Sequence, residues 1–539
     1  MTTLTPTVLV LGLLSCADKP DSDASPRDTG SASPQADTGN GDEDGDGDGV
    51  SHPALGPVQV CTAPQPEPTW TEVGTLLGLI GRPDDGRVTG EATYMAIDDF
   101  DGDGDLDVLT SVFGHTMPDE PADPARVFYW DGSAFNHVEI PYFESAWHPT
   151  LGDVDNDGDR DILTPGSPTW LRNVDGEFEN EDWTCLEVAR LMFIREFEPH
   201  DINGDGLLDL FALGSHPESD PELGQDFILW GTDDNQFSVD HSAMPILPTP
   251  GTGFDALWLD WEGDGPQEIF VANDRGSTLA PNSLWSWNGS GFTDISAPIS
   301  ANLGHDAMGA DAADFNGDGV PDLYISATNQ NVLLLSQPDG TLADEALTLD
   351  ADPVRHSTAP IRMGWSGLFV DYDNDGQTDL FTTQGDWWDT PGERPLSTIN
   401  LLGFNGEKFD DVSAQAGVTA EGSFRGAVTV DFNDDGLQDF LVSSLYGDHL
   451  LFLSEGCTAQ NWLSFTGTAG IRVQVTANGQ VWTDWIMSSS GFGAHTLPLA
   501  HIGLGTLSHV DRIEAVLPSG EIWAIDGPIA TRRTVNITP

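Results

Sequence analysis

The sequence predicts an all-β protein, a seven-bladed β-propeller followed by a small β-sandwich domain. Three observations carry that prediction. One nine-residue acidic loop recurs seven times, each copy lies between short apolar runs, and the 60 Gly and 36 Pro mark frequent turns. No helical stripe longer than about a dozen residues competes with this pattern. The 17 Trp and 25 Phe supply large areas for burial although only 38% of the chain is hydrophobic. At 539 residues there is room for one large repeat architecture and a further domain.

The chain carries 19 basic against 89 acidic residues, a formal charge of −70. Such a surface repels phosphate backbones, so no nucleic-acid partner is expected. Unneutralised, the charge also opposes compaction, so the chain calls for cations.

The apolar run Val8 to Leu14 ends in Leu13-Leu14-Ser15-Cys16. It is too short to span a membrane as a helix and suits the core of a signal peptide over residues 1–16. Leu-Leu-Ser-Cys resembles a bacterial lipobox, which implies lipidation of Cys16 and membrane attachment only through that lipid. Ala17 is compatible with an outer-membrane or cell-surface lipoprotein. The alternative is an ordinary signal peptide and a secreted chain. Residues 17–56 are mostly Asp, Gly, Ser and Pro and read as a disordered, self-repelling tether. Their GDEDGDGDGV stretch imitates the repeated loop but ends in Val50 and lacks flanking strands.

In the first loop Asp99, Asp101, Asp103, Asp105 and Asp107 hold positions one, three, five, seven and nine. The same positions are held by Asp153, Asp155, Asp157, Asp159 and Asp161 in the second loop. In the third they are Asp201, Asn203, Asp205, Leu207 and Asp209. The fourth offers Asp260, Glu262, Asp264 and Glu268, with Pro266 at position seven. The fifth has Asp314, Asn316, Asp318, Val320 and Asp322, and the sixth Asp371, Asp373, Asp375, Gln377 and Asp379. The seventh has Asp431, Asn433, Asp435, Leu437 and Asp439. Gly stands at position six every time.

A hard dication such as Ca²⁺ takes six to eight oxygens at roughly 2.3–2.6 Å in a flexible shell. Side chains at positions one, three and five converge once the loop curls, and Gly at six permits the left-handed turn. The seventh residue offers its carbonyl, which explains its variety, and the ninth acid closes the shell. Up to seven Ca²⁺ are therefore expected, and Mg²⁺, with its strict octahedral geometry, suits the loops less well. The alternative is seven acidic turns without metal. The fourth loop is the weakest, because Pro266 stiffens it and two Glu side chains must fit.

Gly367–Val370 and Leu380–Thr382 flank the sixth loop as strands, and Leu284–Trp287 and Phe292–Ser296 supply the third and fourth runs of another repeat. Successive first Asp residues are 54, 48, 59, 54, 57 and 60 residues apart. Four strands per unit of this size, repeated radially, describe a propeller blade over residues 57–457. A linear solenoid would have shorter repeats. Trp70–Leu79 is similar to the fourth strand Phe409–Val418, whereas the seventh repeat lacks its own fourth strand. The N-terminal strand is therefore expected to complete the seventh blade. That closure brings Cys61 near Cys457, the favoured disulfide in an exported chain, with Cys185 unpaired. The alternative is that all three are free and buried.

The D-x-D-x-D-G-x-x-D loops resemble the FG-GAP or VCBS repeat family, which implies a propeller whose hairpin loops bind calcium. The tail, 458–539, contains Asn461-Trp462-Leu463, Gly470 to Val475, Ser490-Gly491-Phe492, His501 to Gly505, Val510 to Glu514 and Pro518-Ser519-Gly520. These stretches resemble the ASPIC/UnbV domain that follows such propellers in cartilage acidic protein-like chains. The tail departs from that pattern at Gly493-Ala494-His495 and at Leu517. Its own alternation suggests about seven short strands and a small sandwich.

No H-E-x-x-H, G-x-S-x-G or phosphate-cradling loop is present. His305-Asp306, and His495 with Ser488 to Ser490, lack a third partner at a recognisable spacing and read as turn or surface residues. Trp387-Trp388 in the Gly385–Pro395 insert suit blade packing or contact with sugar or protein. The expected function is that of a non-enzymatic surface lipoprotein binding an extracellular protein or glycan through its propeller face or tail. The alternative is a hydrolase or lyase acting on extracellular polymers, its cleft hidden among the inserts.

Overall fold

The run before each acidic loop forms the innermost strand of a blade, and in the fifth blade that run is built mainly of Ala and Gly. Ala307–Ala313 is wholly buried and pairs antiparallel with Asp322–Ala327. Val332–Ser336 and Leu342–Asp344 complete the sheet outward, and only the outermost strand reaches solvent. Small side chains at the inner strand let blades converge on an axis, and both faces of each sheet pack against neighbouring blades. The computed structural model describes residues 55–62, 64–65, 67–81, 92–113, 124–144, 148–165, 169–181, 194–215, 224–247, 250–356, 363–385, 397–445, 447–489 and 491–537. Among these, seven four-stranded antiparallel blades form the propeller. Cys16, the signal peptide, the tether up to residue 54, Cys185 and Trp387-Trp388 lie outside the described residues.

The seventh blade is completed by Trp70–Glu72, whose Trp70, Thr71 and Glu72 pair with Ser454, Leu453 and Phe452. Trp70 Nε1 donates to the Gln438 carbonyl at 3.0 Å. A one-turn helix, Gly74–Leu77, follows this strand, just as Ser413–Ala416 follows Phe409–Asp411. Cys61 and Cys457 are joined by a disulfide. Before it, Gly56 and Gln59 donate backbone N–H bonds to Thr534 and Arg532, and Leu55 bridges Val535. The end of the expected tether and the first residues of the expected propeller thus edge the C-terminal module instead.

His449 is buried in this closing blade, where burial and the nearby Arg126 charge push its imidazole down to about 4. It is neutral when folded and takes up a proton on unfolding, so its contribution is lost as pH falls from about 6.5 towards 4. His449→Gln keeps an acceptor for the Ser444 N–H, 3.4 Å from Nδ1. That variant is expected to recover up to about 3 kcal/mol of the acid-induced loss, read from denaturant melts at about pH 4.5 and pH 7.

The C-terminal module is a sandwich of two sheets. One contains Asn461–Gly467, Ala494–Gly505 and Arg533–Ile537, and the other Gln480–Trp485, Arg472–Ala477, His509–Val516 and Ile522–Ala530. Alternate residues of these strands, among them Phe465, Val473, Val475, Ile513 and Val535, build one shared core.

The module is not a separate appendage. Met487–Ser489 and the start of Ala494–Gly505 form a hairpin, with Ser489 opposite His495, that enters the propeller channel. There Met95 and Ala96, on the innermost strand of the first blade, pair in parallel with Ala494 and His495. The Gly491 N–H donates to Ala310 at 2.7 Å, and the Met95 N–H to Gly493 at 3.0 Å. Phe492 at the tip meets the rings of Trp365, His148, Tyr94 and Phe254 at 4.7, 5.3, 5.7 and 5.9 Å. Gly309 is required here, because a Cβ would lie 2.4 Å from the Phe492 nitrogen.

Candidate metal loops and the plugged channel

Each acidic loop curls around its first carboxylate. In the first loop Asp99 Oδ1 accepts the Asp103 N–H at 3.0 Å and Oδ2 the Gly104 N–H at 2.9 Å. Asp153, Asp201, Asp260, Asp371 and Asp431 accept the equivalent pair, and Asp314 accepts from Gly319. All seven position-six glycines have φ between 82° and 106°. Position four is also left-handed in every loop: Gly102, Asn156, Gly204, Gly263, Gly317, Asn374 and Asp434. The sequence carried that signal, since only Gly, Asn and Asp occur there and these tolerate the region best.

The ninth acid does more than complete a ligand set. Asp107 Oδ2 accepts the Phe100 N–H at 3.0 Å, while Oδ1 accepts the Trp130 N–H, from the third strand, at 2.9 Å. Asp161, Asp209, Asp379 and Asp439 make the same two contacts. This acid therefore clamps the loop to the blade. Serines of the third strand, which the sequence did not mark, add to the clamp. Ser336 Oγ donates to Asp318 at 2.7 Å and Ser454 Oγ to Asp435 at 2.6 Å.

Three loops bring three carboxylates within 4.8 Å of one another: Asp99, Asp101 and Asp107; Asp153, Asp155 and Asp157; and Asp371, Asp373 and Asp379. The fourth loop, with Glu262, forms no such group. Burial pushes Asp107, Asp161, Asp209, Asp322 and Glu268 up to about 7. Burial, with neighbouring loop carboxylates, holds Asp371, Asp379 and Asp439 well above the usual carboxylate range. An oxygen-only donor set whose negative charges are this strained fits a hard cation, which would displace the protons.

The loops do not all line an open rim. In the first three, positions three to five are largely exposed. The fourth to seventh lie beneath the C-terminal module. The Asp260 N–H donates to Gly470 at 3.1 Å and Trp485 Nε1 to the Asp260 carbonyl at 3.1 Å. His501 Nε2 lies 2.7 Å from Asn374 Oδ1, and a Cβ on Gly436 would fall 2.0 Å from Trp462 Nε1. Between the module and the fifth and sixth loops is a cavity of about 360 Å³ lined by Asp311, Asp371, Trp482, Asp484 and His501. Burial raises Asp311 to about 8 and Asp484 to about 7, and lowers His501 to about 4.

The channel holds a second titratable group. Glu196 accepts from His148 Nδ1 at 2.7 Å and faces His495 Nε2 at 3.4 Å. Ser489 Oγ lies 3.2 Å from Glu198 and 3.0 Å from the Ala256 carbonyl, so its single proton is shared between them. Burial, then the charges of Glu196 and Asp255, push Glu198 well up; burial opposes, but the His148 and His495 charges lower Glu196. His495 and Ser489 are thus interior groups. Asp306 receives Ser277 at the surface, through both its hydroxyl and its N–H.

A family model described as an FG-GAP-like repeat matches residues 99–164, 201–271 and 260–325, and one described as ASPIC and UnbV matches 466–539. Cartilage acidic protein 1 of Mus musculus is 24% identical over 274 residues, 47% of this chain and 40% of the relative. The Homo sapiens protein matches equally, over 39% of its length. The chain thus spans about two-fifths of the length of these curated relatives. Among solved structures, an Agrocybe aegerita lectin recognising non-reducing terminal N-acetylglucosamine aligns with TM-score 0.36 and 12% identity, over 62% of this chain and 94% of the lectin. YCF48 from Cyanidioschyzon merolae aligns with TM-score 0.38 and 9% identity, over 71% and 98%. Among the described residues no helix is long and apolar enough to cross a membrane. The chain carries FG-GAP-like repeats followed by an ASPIC and UnbV domain, the arrangement of cartilage acidic protein 1.

Proposed function

We propose that this chain is a calcium-binding extracellular module, exported and held at a cell surface by a lipid on Cys16, that binds a protein or glycan without turning it over. The observation that carries the calcium reading is the shared loop geometry, in which the first carboxylate is oriented by two backbone N–H groups before any ion arrives. Side chains at positions one, three, five and nine, with the seventh carbonyl, would hold the ion. Calcium supplies charge neutralisation and a flexible oxygen shell. The cavity beside Trp482, which combines an aromatic face with polar groups, supports the ligand-binding reading. Burial of His495 and Ser489 speaks against their use on a polymer.

Calorimetric titration of the full chain with Ca²⁺ is expected to show several ions bound, with loss of heat when Asp99, Asp153 and Asp371 are changed to Asn. Glycan and protein arrays are expected to retain the chain without product release. Turnover of an extracellular polysaccharide would overturn the non-enzymatic reading. Cys16→Ser is expected to abolish labelling by a fatty-acid analogue and release the protein from the membrane fraction.

A further inference from the structure

The channel group beside the hairpin has a different chemistry from the loops. Glu196 and Glu198 come from the innermost strand of the third blade, Ile194–His200, and His495 comes from the hairpin. Relative exposures are 1%, 0% and 2%. One donor atom from each lies within 4.8 Å of the others. His495 Nε2 and Glu196 Oε1 are 3.4 Å apart, close to the edge of a tetrahedron with bonds of about 2.0–2.1 Å.

A second observation points to a ligand. Glu196 Oε2 and Glu198 Oε1 are buried and have no hydrogen-bond partner among the described residues. The same holds for Oδ1 of Asp255, which is 1% exposed and stands next to Ala256, whose carbonyl Ser489 Oγ reaches at 3.0 Å. Buried acceptors of this kind are rare in native proteins, and a shared cation is one partner that satisfies several of them at once. The remaining contacts orient the set: His148 holds Glu196, Ser489 holds Glu198, and the Ala310 N–H holds Asp255 Oδ2 at 2.6 Å. Oriented carboxylates of this type characterise metal sites.

We propose that Glu196, Glu198 and His495 bind one zinc-class divalent cation inside the propeller channel. An imidazole nitrogen with two carboxylates favours such an ion over calcium, which selects oxygen alone. The set is complete only when the hairpin is inserted, so the ion enters as the module docks and ties it to the third blade. This assignment stands apart from the calcium reading of the loops.

The test uses the full chain without a histidine tag, produced in medium containing Co²⁺ and washed in millimolar calcium. Retained cobalt, with a visible absorption band of low coordination number that zinc removes, is the expected result. Glu198→Gln and His495→Gln, checked for an unchanged calcium-dependent melt, are each expected to weaken retention at least about tenfold. Absence of calcium-resistant cobalt and zinc from the unmodified chain overturns the assignment. So does equal retention by folded Glu198→Gln and His495→Gln. If either variant fails to fold, the metal content and spectrum of the unmodified chain decide.

Discussion

Excess chelator is expected to lower the melting temperature of the full chain steeply and to loosen the C-terminal module with it. At a free calcium concentration ten times its dissociation constant, each site contributes about 1.4 kcal/mol. Seven additive sites would reach roughly 10 kcal/mol, on the scale of a domain's entire stability. The arrangement of the loops makes the effect uneven. Asp99 lies in an open loop, whereas Asp371 lies in the loop whose Asn374 contacts His501 and whose Asn374 carbonyl accepts the Gly505 N–H at 2.9 Å. Asp371→Asn is therefore expected to raise hydrogen exchange across 494–505 in the presence of calcium, and Asp99→Asn to leave that segment protected. A melt unchanged in chelator would remove the structural-calcium reading. Equal exchange in the two variants would remove the claim that the covered loops seat the module.

Phe492→Ala is expected to destabilise the chain by about 3–5 kcal/mol, the range for truncating a buried aromatic in a core. Phe492 is 1% exposed and packs with Tyr94, Phe254, Met308, Met363 and Trp365, residues drawn from several inner strands. Trp365 in turn carries the buried Arg425 guanidinium, 4.1 Å from its ring centroid. Removing the ring leaves a cavity on the axis that no single blade can close, because each inner strand is fixed by its own sheet. Phe492→Leu, which keeps much of the volume, is expected to lose less than about 1.5 kcal/mol. Chemical denaturation measures both, and proteolysis within 487–496 reports hairpin release. A loss below about 1 kcal/mol for Phe492→Ala would mean that the hairpin contributes little to the ring.

Much of the candidate loop site was legible because its chemistry is local. The first carboxylate, the glycine at position six and the ninth acid sit at fixed offsets, so turn stereochemistry alone demands their residue types. The dual use of the ninth acid was hidden, since its partners Trp130, Asn173 and Gly231 belong to a third strand at no constant spacing. Ring closure was readable because Trp70–Glu72 imitates a fourth strand that the seventh repeat lacks. The covering of the fourth to seventh loops by the C-terminal module was not legible in the sequence. Nothing local in Gly436 or Asn374 announces that Trp462 and His501 lie against them.

By itself, then, the sequence determined the seven acidic loops, the blade pattern and the two-part organisation, because these rest on contacts within a few residues and on periodic burial. The hairpin in the channel, the covered loops and the meeting of Glu196 and Glu198 with His495 were decided only by tertiary structure. The last of these joins residues about 300 positions apart, where no spacing rule operates and only the packed geometry selects partners.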